Sequence, residues 1–287
     1  MRFFFLLRLH HWPKNLFIFI PAFFAGVITN APIITLLIQG FFCFSLVSSA
    51  VYVVNDYRDR EKDRLHPVKK NRPLASGQVA PVLAIGIVIV LLTIALPWSF
   101  FLNYYFGLSL MSYLVLNLLY SLGLKNIAIL DTLIVSSGFL LRTLSGGWLA
   151  EVTISQWLVI MVFLLSFFLA TAKRRDDLIL FQNGQAPLRK SSEGYTLEFI
   201  NTILSVLAGV IIVSYLMYTI SDEVVHRLHT PHLYVTALFV FAGLIRFLQI
   251  TMVENRSGSP MRIFLTDVFI QTTIVLWILC FFIVIYI

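Results

Sequence analysis

The chain has 287 residues, 59% of them hydrophobic and only 12% charged, with a formal net charge of +7. Composition this apolar excludes a soluble globular domain and identifies a membrane protein. Its apolar stretches repeatedly approach the roughly 20 residues that cross about 30 Å of hydrocarbon. The length is therefore expected to be spent on one polytopic domain covering residues 1–287.

In chain order, the pattern predicts nine crossings: 16–29, 33–54, 81–98, 103–121, 128–149, 156–173, 196–220, 232–250 and 263–286. The first is short and broken by Pro21. Pro32, Pro81 and Pro231 lie just outside or at the starts of spans, where a missing N–H costs little. No A-x-A-like cleavage site follows the first span, so the N-terminus is expected to persist. Cys43 and Cys280 fall inside predicted spans and are taken as packing residues, too few for a disulfide framework or a zinc site.

Lysine and arginine set the expected orientation. With nine crossings, all but Arg142 and Arg227 of the 21 basic residues come to one side, together with the N-terminus. That side is expected to be cytoplasmic, in a multi-pass protein of the inner membrane.

The second span runs into Asn55-Asp56-Tyr57-Arg58-Asp59-Arg60-Glu61-Lys62-Asp63. At about 100° per residue, Asp56, Asp59 and Asp63 stand at roughly 0°, 300° and 340° and project from one helical face. Unpaired, they would repel each other. A hard cation such as Mg²⁺, which favours one or two carboxylates plus phosphate oxygens, relieves that repulsion. The bland alternative is a solvated helix end on which Arg58, Arg60, Lys62 and Arg64 pair with the neighbouring acids. Next comes His66-Pro67-Val68-Lys69, then Asn71-Arg72-Pro73 and the turn Ser76-Gly77. Such a loop can fold over a polyanion, with Arg72 offering a planar fork and Lys69 a mobile point charge. Positive-inside topology alone would also place these cations here.

Further along, Tyr120-Ser-Leu-Gly-Leu-Lys125 precedes Asp131 and Arg142. Eleven residues of helix return to within about 20° of the same face, so Asp131 and Arg142 are expected on one stripe. An ionisable group inside a span is expensive, which makes Arg142 a functional candidate; the alternative is a buried structural contact. Small residues nearby, including Gly146 and Gly147, permit close helix packing or a lipid-sized groove. After the sixth span, Lys173-Arg174-Arg175-Asp176-Asp177 offers cations for phosphate and a carboxylate for metal or sugar hydroxyls, or simply a Lys173–Asp177 surface pair. His226, His229 and His232 straddle Pro231 and are read as loop residues. No nucleotide-binding glycine motif is present, and no nucleic-acid partner is expected.

The motif Asn55-Asp56-x-x-Asp59-x-x-x-Asp63, with Arg72-Pro73-Leu74-Ala75-Ser76-Gly77 behind it, resembles the first aspartate motif of the UbiA-type prenyltransferase superfamily. The resemblance runs over essentially the whole chain. It implies an all-α membrane protein, a bundle of nine transmembrane helices with cytoplasmic loops capping a central cavity. Finer features are similar to the decaprenyl-phosphate phosphoribosyltransferase branch: His11-Trp12-Pro13-Lys14-Asn15, Asp63-Arg64-x-His66-Pro67-x-Lys69, Tyr120-Ser121-x-x-Leu124-Lys125, and Gly138-Phe139-x-Leu141-Arg142 with Gly146-Gly147. Aromatic-acid prenyltransferases usually lack the His-Pro-x-Lys insertion. The chain departs from the branch after span six, where Asp176 and Asp177 stand at the place of a single glutamate.

That resemblance implies transfer of 5-phosphoribose from phosphoribosyl diphosphate to a polyprenyl phosphate, for cell-envelope polysaccharide precursors. Mg²⁺ would be held by Asp56 and Asp59, with Asp63 and Asn55 as direct or water-mediated partners, and would stabilise the departing diphosphate. Lys69, Arg72, Lys125, Lys173 and Arg174 are candidates for the remaining phosphate oxygens. Asp131, Arg142 and Asp177 would orient the sugar or the acceptor. Lys14, His66 and Tyr120 complete the substrate-binding set. A dianionic lipid phosphate is its own nucleophile, so no general base is required. The rivals are prenyl transfer from a prenyl diphosphate to an aromatic or other small acceptor and, less favoured, a transporter, whose ligand groups would sit near the bilayer midplane. A homo-oligomer stays open.

Overall fold

The computed structural model describes residues 2–65, 69–184, 190–254 and 260–286. These residues are helical and contain no strand. In chain order the helices are α1 (Arg2–Leu6), α2 (Ile20–Phe24), α3 (Ala31–Arg64), α4 (Pro81–Leu102), α5 (Tyr104–Leu122) and α6 (Leu130–Ala150). Then follow α7 (Gln156–Gln182), α8 (Leu197–Ile220), α9 (Asp222–Leu228), α10 (Ala237–Met252), α11 (Pro260–Thr266) and α12 (Val268–Tyr286). Among the described residues, seven helices are long and apolar enough to cross a membrane: α3 to α8 and His232–Met252, which contains α10. The apolar stretch Val268–Val284 of α12 is shorter.

The predicted spans from 33 to 250 fall on the seven long helices, the one at 263–286 is divided between α11 and α12 at Asp267, and the expected crossing at 16–29 is not one continuous helix. Leu9–Phe19 is a 3₁₀ helix containing Pro13, α2 is only five residues long, and a turn follows. Pro13 removes a backbone donor, and the polar side chains of this segment bond to a neighbouring helix. The segment is held by those side chains and not by an uninterrupted helical ladder.

Local chemistry sets the helix ends. Asn30 caps α3 by accepting from the Ile33 N–H at 3.4 Å, and Asn103 starts α5 by accepting from the Phe106 N–H at 3.1 Å. Thr196 does the same for α8 through Phe199. Gly77 adopts φ +76° in open space, so its role is the left-handed turn before α4 rather than close packing.

The chain divides into two compact units, Met1–Lys125 with Gly138–Ile154, and Asn126–Ser137 with Ser155–Ile287. The first is built around Phe44, Val47, Phe106, Leu110 and Tyr113, with Ile18 and Leu149 packed among them. A smaller cluster joins Leu6, Val53, Leu74, Val79 and Ala84. The second unit centres on Phe168, Leu204, Ile211, Phe247 and Ile270. Outward-facing Val82 and Phe101 are more than four-fifths exposed, as bilayer-facing positions can be. At Gly146 an added Cβ would collide with the backbone carbonyl of Ile18, so this glycine serves close packing.

Candidate active site

Helix α3 does not stop at the end of its apolar run but continues to Arg64, carrying Asn55, Asp56, Asp59 and Asp63 on its last turns. Asp56 is 3% exposed and Asp63 5%, so neither can hold its charge in this apolar setting without partners. The partners come from other segments. Arg8 forks onto Asp56, donating from Nη2 to Oδ1 at 2.6 Å and from Nε to Oδ2 at 3.2 Å. Arg72 Nη1 bridges Asp56 Oδ1 at 3.1 Å and Asp63 Oδ2 at 2.6 Å. Lys125 Nζ lies 2.7 and 2.6 Å from the two oxygens of Asp59 and donates to Asn55 Oδ1 at 3.2 Å. Ser121 also donates to Asn55 Oδ1, at 3.3 Å. Three carboxylates thus meet three cations, formally neutral overall.

The alternative of local pairing along the helix end holds for Glu61, which Arg60 and Arg64 engage at 3.2 and 2.8 Å, whereas Asp56, Asp59 and Asp63 take Arg8, Arg72 and Lys125 from outside the helix. Arg64 also donates to the Ala75 carbonyl at 3.1 Å, tying the helix end to the loop. That loop is folded: buried Leu74 sits in the cluster with Leu6 and Val53, and the Arg72 carbonyl accepts from the Ser76 N–H. Arg72 is thereby aimed back at α3. Lys69 is exposed on the 3₁₀ turn Lys69–Asn71. The expectation placed on His66 lies outside the described residues.

Asn55, Asp56, Asp59 and Asp63 supply the hard oxygen donors that Mg²⁺ prefers. Among the described residues, however, no three His, Cys, Asp or Glu side chains converge into a metal cage. Asp56 and Asp63 share Arg72, while Asp59 is drawn to Lys125. The donor set therefore fits a hard cation that arrives with phosphate oxygens to complete its shell, not a bare ion entering a ready-made site.

In the same unit, Arg142 is 4% exposed, and its hydrogen-bond partners among the described residues are neutral. Its Nε donates to Asn15 Oδ1 at 2.7 Å, Nη1 to the Gly138 carbonyl at 2.7 Å and Nη2 to the Tyr113 hydroxyl at 2.9 Å. The rings of Tyr113, Phe44 and Phe139 surround the guanidinium at 4.6, 5.2 and 5.5 Å. Asn15 is itself fixed, donating to Ser45 at 2.9 Å, and Trp12 donates to Ser49 at 3.0 Å. Between those anchors Lys14 is partly buried and pairs with no acid among the described residues. Burial, reinforced by the charges of Arg142 and Arg8, lowers its ammonium pKa to about 8. Tyr120 is partly buried near the end of α5.

The second unit holds its own cluster. Asp131, fully buried, lies 2.7 Å from Arg174 Nε and accepts from Ser191 at 3.0 Å and Tyr195 at 3.4 Å. Arg174 Nη1 reaches Asp177 at 2.5 Å. Burial pushes the Tyr195 phenol up. Asp131 and Arg142 both lie on α6, as the expected stripe requires, but Asp131 joins Arg174 and Arg142 joins Asn15 and Tyr113. Asp177, for which a surface pair with Lys173 was the alternative, pairs with Arg174, and Lys173 is exposed. Asp176, 4% exposed, has no hydrogen-bond partner on either oxygen among the described residues.

Sequence reasoning counted Arg8 only toward topology and passed over Asn15 as a partner of Arg142, along with Tyr113, Ser191 and Tyr195. Arg8 is 48 residues from Asp56, so no local spacing could reveal that contact. Arg142 and Asn15 are 127 apart, and their only signal was an arginine in an apolar span, which requires partners.

Comparison with known proteins places the chain in a family. The UbiA prenyltransferase family model matches residues 16–178, a stretch containing all three α3 carboxylates, Arg72, Lys125, Asp131, Arg142 and Asp177. The decaprenyl-phosphate phosphoribosyltransferase of Corynebacterium glutamicum is 30% identical over 285 residues, covering 98% of this chain and 86% of that protein. The protein of the same name from Mycolicibacterium smegmatis is 31% identical over 280 residues, covering 94% and 88%. A UbiA homolog from Archaeoglobus fulgidus, solved bound to DMAPP and Mg²⁺, shares the fold with a TM-score of 0.74 at 18% identity, covering 100% of both chains. With its helical membrane architecture and charged α3 terminus, this chain belongs to the UbiA prenyltransferase family.

Proposed function

We propose that this chain is a multi-pass membrane enzyme that transfers 5-phosphoribose from phosphoribosyl diphosphate to a polyprenyl phosphate, serving cell-envelope polysaccharide synthesis. The observation that carries the reading is the interleaving of Asp56, Asp59 and Asp63 with Arg8, Arg72 and Lys125. Such a site offers oxygens to a metal and cations to phosphate within one cluster. The names of the relatives, which match this chain almost end to end, favour phosphoribose as the transferred group.

Asp56 and Asp59 would hold Mg²⁺, with Asp63 and Asn55 directly or through water. When bound, that ion stabilises charge on the departing diphosphate. Arg72 and Lys125 move from carboxylate to phosphate oxygens, and Lys69 adds a mobile charge from the loop. Arg142, immobilised by Asn15 and Tyr113, sets the position of neighbouring Lys14, which meets the acceptor phosphate. Tyr120 borders the donor. Within the second unit, Asp131 and Asp177 pair with Arg174 in a charged cluster of its own, with Lys173 exposed on α7. No side-chain base acts, because the lipid phosphate is already anionic at neutral pH. The basic side, with the N-terminus, faces the cytoplasm of the inner membrane.

Prenyl transfer is the second reading, favoured by the fold likeness to UbiA homologs whose solved structures hold DMAPP or GPP with Mg²⁺. Purified protein given Mg²⁺, labelled phosphoribosyl diphosphate and a short polyprenyl phosphate should yield a labelled lipid. Labelling only from prenyl diphosphate plus an aromatic acid would overturn phosphoribosyl transfer in favour of the second reading.

A further inference from the structure

We infer that Arg8 is a placeholder cation: it occupies Asp56 until a metal–diphosphate complex arrives, then gives up the carboxylate to the metal and takes a diphosphate oxygen. The inference rests on the reading of Asp56 as a metal-bearing carboxylate and adds a positioning residue to it.

Arg8 engages both oxygens of Asp56, and one of those oxygens is also held by Arg72. Two guanidiniums on a carboxylate that is 3% exposed make two contacts to Oδ1 and one to Oδ2, so a bare cation must displace or crowd a charged donor to reach it. The guanidinium also lies over the Tyr52 ring at 5.2 Å, one helical turn before Asp56, so the fork is supported from below. Arg8 has φ 50° and ψ 48°, a left-handed backbone that a side chain with Cβ adopts at a cost.

Its backbone is pinned on both sides. Leu6 is fully buried, the Leu7 carbonyl accepts from Ser49 at 2.8 Å, and Trp12 donates to the same serine hydroxyl. Exchange at Asp56 is therefore a swing of the Arg8 side chain rather than a movement of the segment. Arginine does not lose its proton in this range, so only competition by other charges can release it.

Charge then sets the binding order. A bare divalent ion at Asp56 would bring two positive charges against Arg8 and Arg72 and must displace a forked, charge-assisted pair. A diphosphate arriving with the metal receives the displaced guanidiniums, and every charge keeps a partner. Metal and diphosphate should consequently bind with strong mutual dependence, each weak alone.

The test uses the full chain in detergent, with Mn²⁺ binding read from loss of the free-ion EPR signal, without and with inorganic pyrophosphate. In the wild type, pyrophosphate should tighten Mn²⁺ about tenfold or more. Arg8→Gln, and Arg8→Gly, which also relieves the left-handed backbone, should bind Mn²⁺ alone several-fold more tightly and lose most of the pyrophosphate effect. Asp56→Asn should bind little Mn²⁺ in either condition. If Asp56→Asn abolishes binding while both Arg8 variants match the wild type or bind Mn²⁺ more weakly, the placeholder role is overturned and the metal reading stands. Unchanged Mn²⁺ binding in Asp56→Asn overturns the metal reading itself. Should both neutral variants fail to fold, Arg8→Lys, which keeps the charge and loses the fork, gives the answer. Wild-type Mn²⁺ affinity and pyrophosphate effect in that variant would overturn the inference.

Discussion

Two guanidinium sites within the first unit solve the problem of charge in an apolar setting in opposite ways. At the end of α3, Arg8 from the N-terminal segment and Arg72 from the following loop sit on Asp56 and Asp63, and with Lys125 on Asp59 the cluster is electrically balanced. Around Arg142, among the described residues, the partners are an amide oxygen, a carbonyl, a phenol and three rings, and none is an acid. An ion pair can be exchanged for another ion pair without leaving charge unpaired. A cation held by fixed neutral dipoles has nothing to exchange and stays in place. The first arrangement suits a group that must meet a charged substrate, and the second suits a group that positions others while contributing a constant field.

The strongest way to break this contrast is to remove a carboxylate. Asp56→Asn and Asp59→Asn should each lower transfer at least about 100-fold, because the metal and its stabilisation of the leaving group are lost together. Membrane insertion should persist, checked by detergent-solubilised yield and monodispersity. Normal insertion with Mg²⁺-dependent turnover retained in both would remove these carboxylates from the chemistry. Next in size is Arg142→Met, which keeps volume but leaves Asn15 Oδ1 and the Tyr113 hydroxyl without their donor. A cost of about 1–3 kcal/mol is expected, read as a lower Tm in detergent. Asp56→Asn should instead change activity far more than Tm, and equal Tm losses in the two variants would erase the distinction.

Much of the α3 site was legible in the sequence because it depends on helical periodicity. Asp56, Asp59 and Asp63 are on one helix as expected, and Arg72 and Lys125, singled out for charge and position, do reach them. The helices from α3 onward follow the apolar runs. What was not legible depends on contacts between remote segments. The stripe expected for Asp131 and Arg142 was sound as helical geometry, but periodicity says where a side chain points and not what it meets. Arg174 and Asn15 determined the outcome. Likewise the first expected span was judged by its hydropathy, while Pro13, Asn15 and Trp12 made it a 3₁₀ segment bound to the serines of α3.

A smaller effect sharpens the exchange idea. Arg72→Lys preserves charge but loses the guanidinium, whose Nη1 bridges Asp56 and Asp63 and whose other N–H groups offer phosphate a planar fork. The KM for the diphosphate donor should rise about tenfold with kcat little changed, since binding contacts are lost and the metal carboxylates remain. A fall in kcat at unchanged KM would instead place Arg72 on the transition state alone.

The smallest effect comes from Lys14, which stands beside both kinds of site. Its neighbours Arg142 and Arg8 are positive, no acid among the described residues pairs with it, and its pKa is lowered to about 8. His10 in the same segment is also lowered, first by burial and then by Arg8 and Lys14, so the imidazole is neutral across the relevant range. A depressed lysine pKa means that the ammonium is lost as pH rises through 8, much earlier than for a free lysine. If that ammonium contacts the acceptor phosphate, acceptor affinity should be nearly constant below pH 7 and fall up to about tenfold between pH 7 and 9. Lys14→Gln should start from the weaker affinity and show no such decline, whereas Lys14→Arg should bind well and stay flat, because a guanidinium keeps its proton. Measuring acceptor KM for the three proteins at pH 7, 8 and 9 separates this from a general alkaline loss, which would lower all three together. A parallel decline would leave Lys14 with a packing role and confine exchangeable charge to the α3 carboxylates.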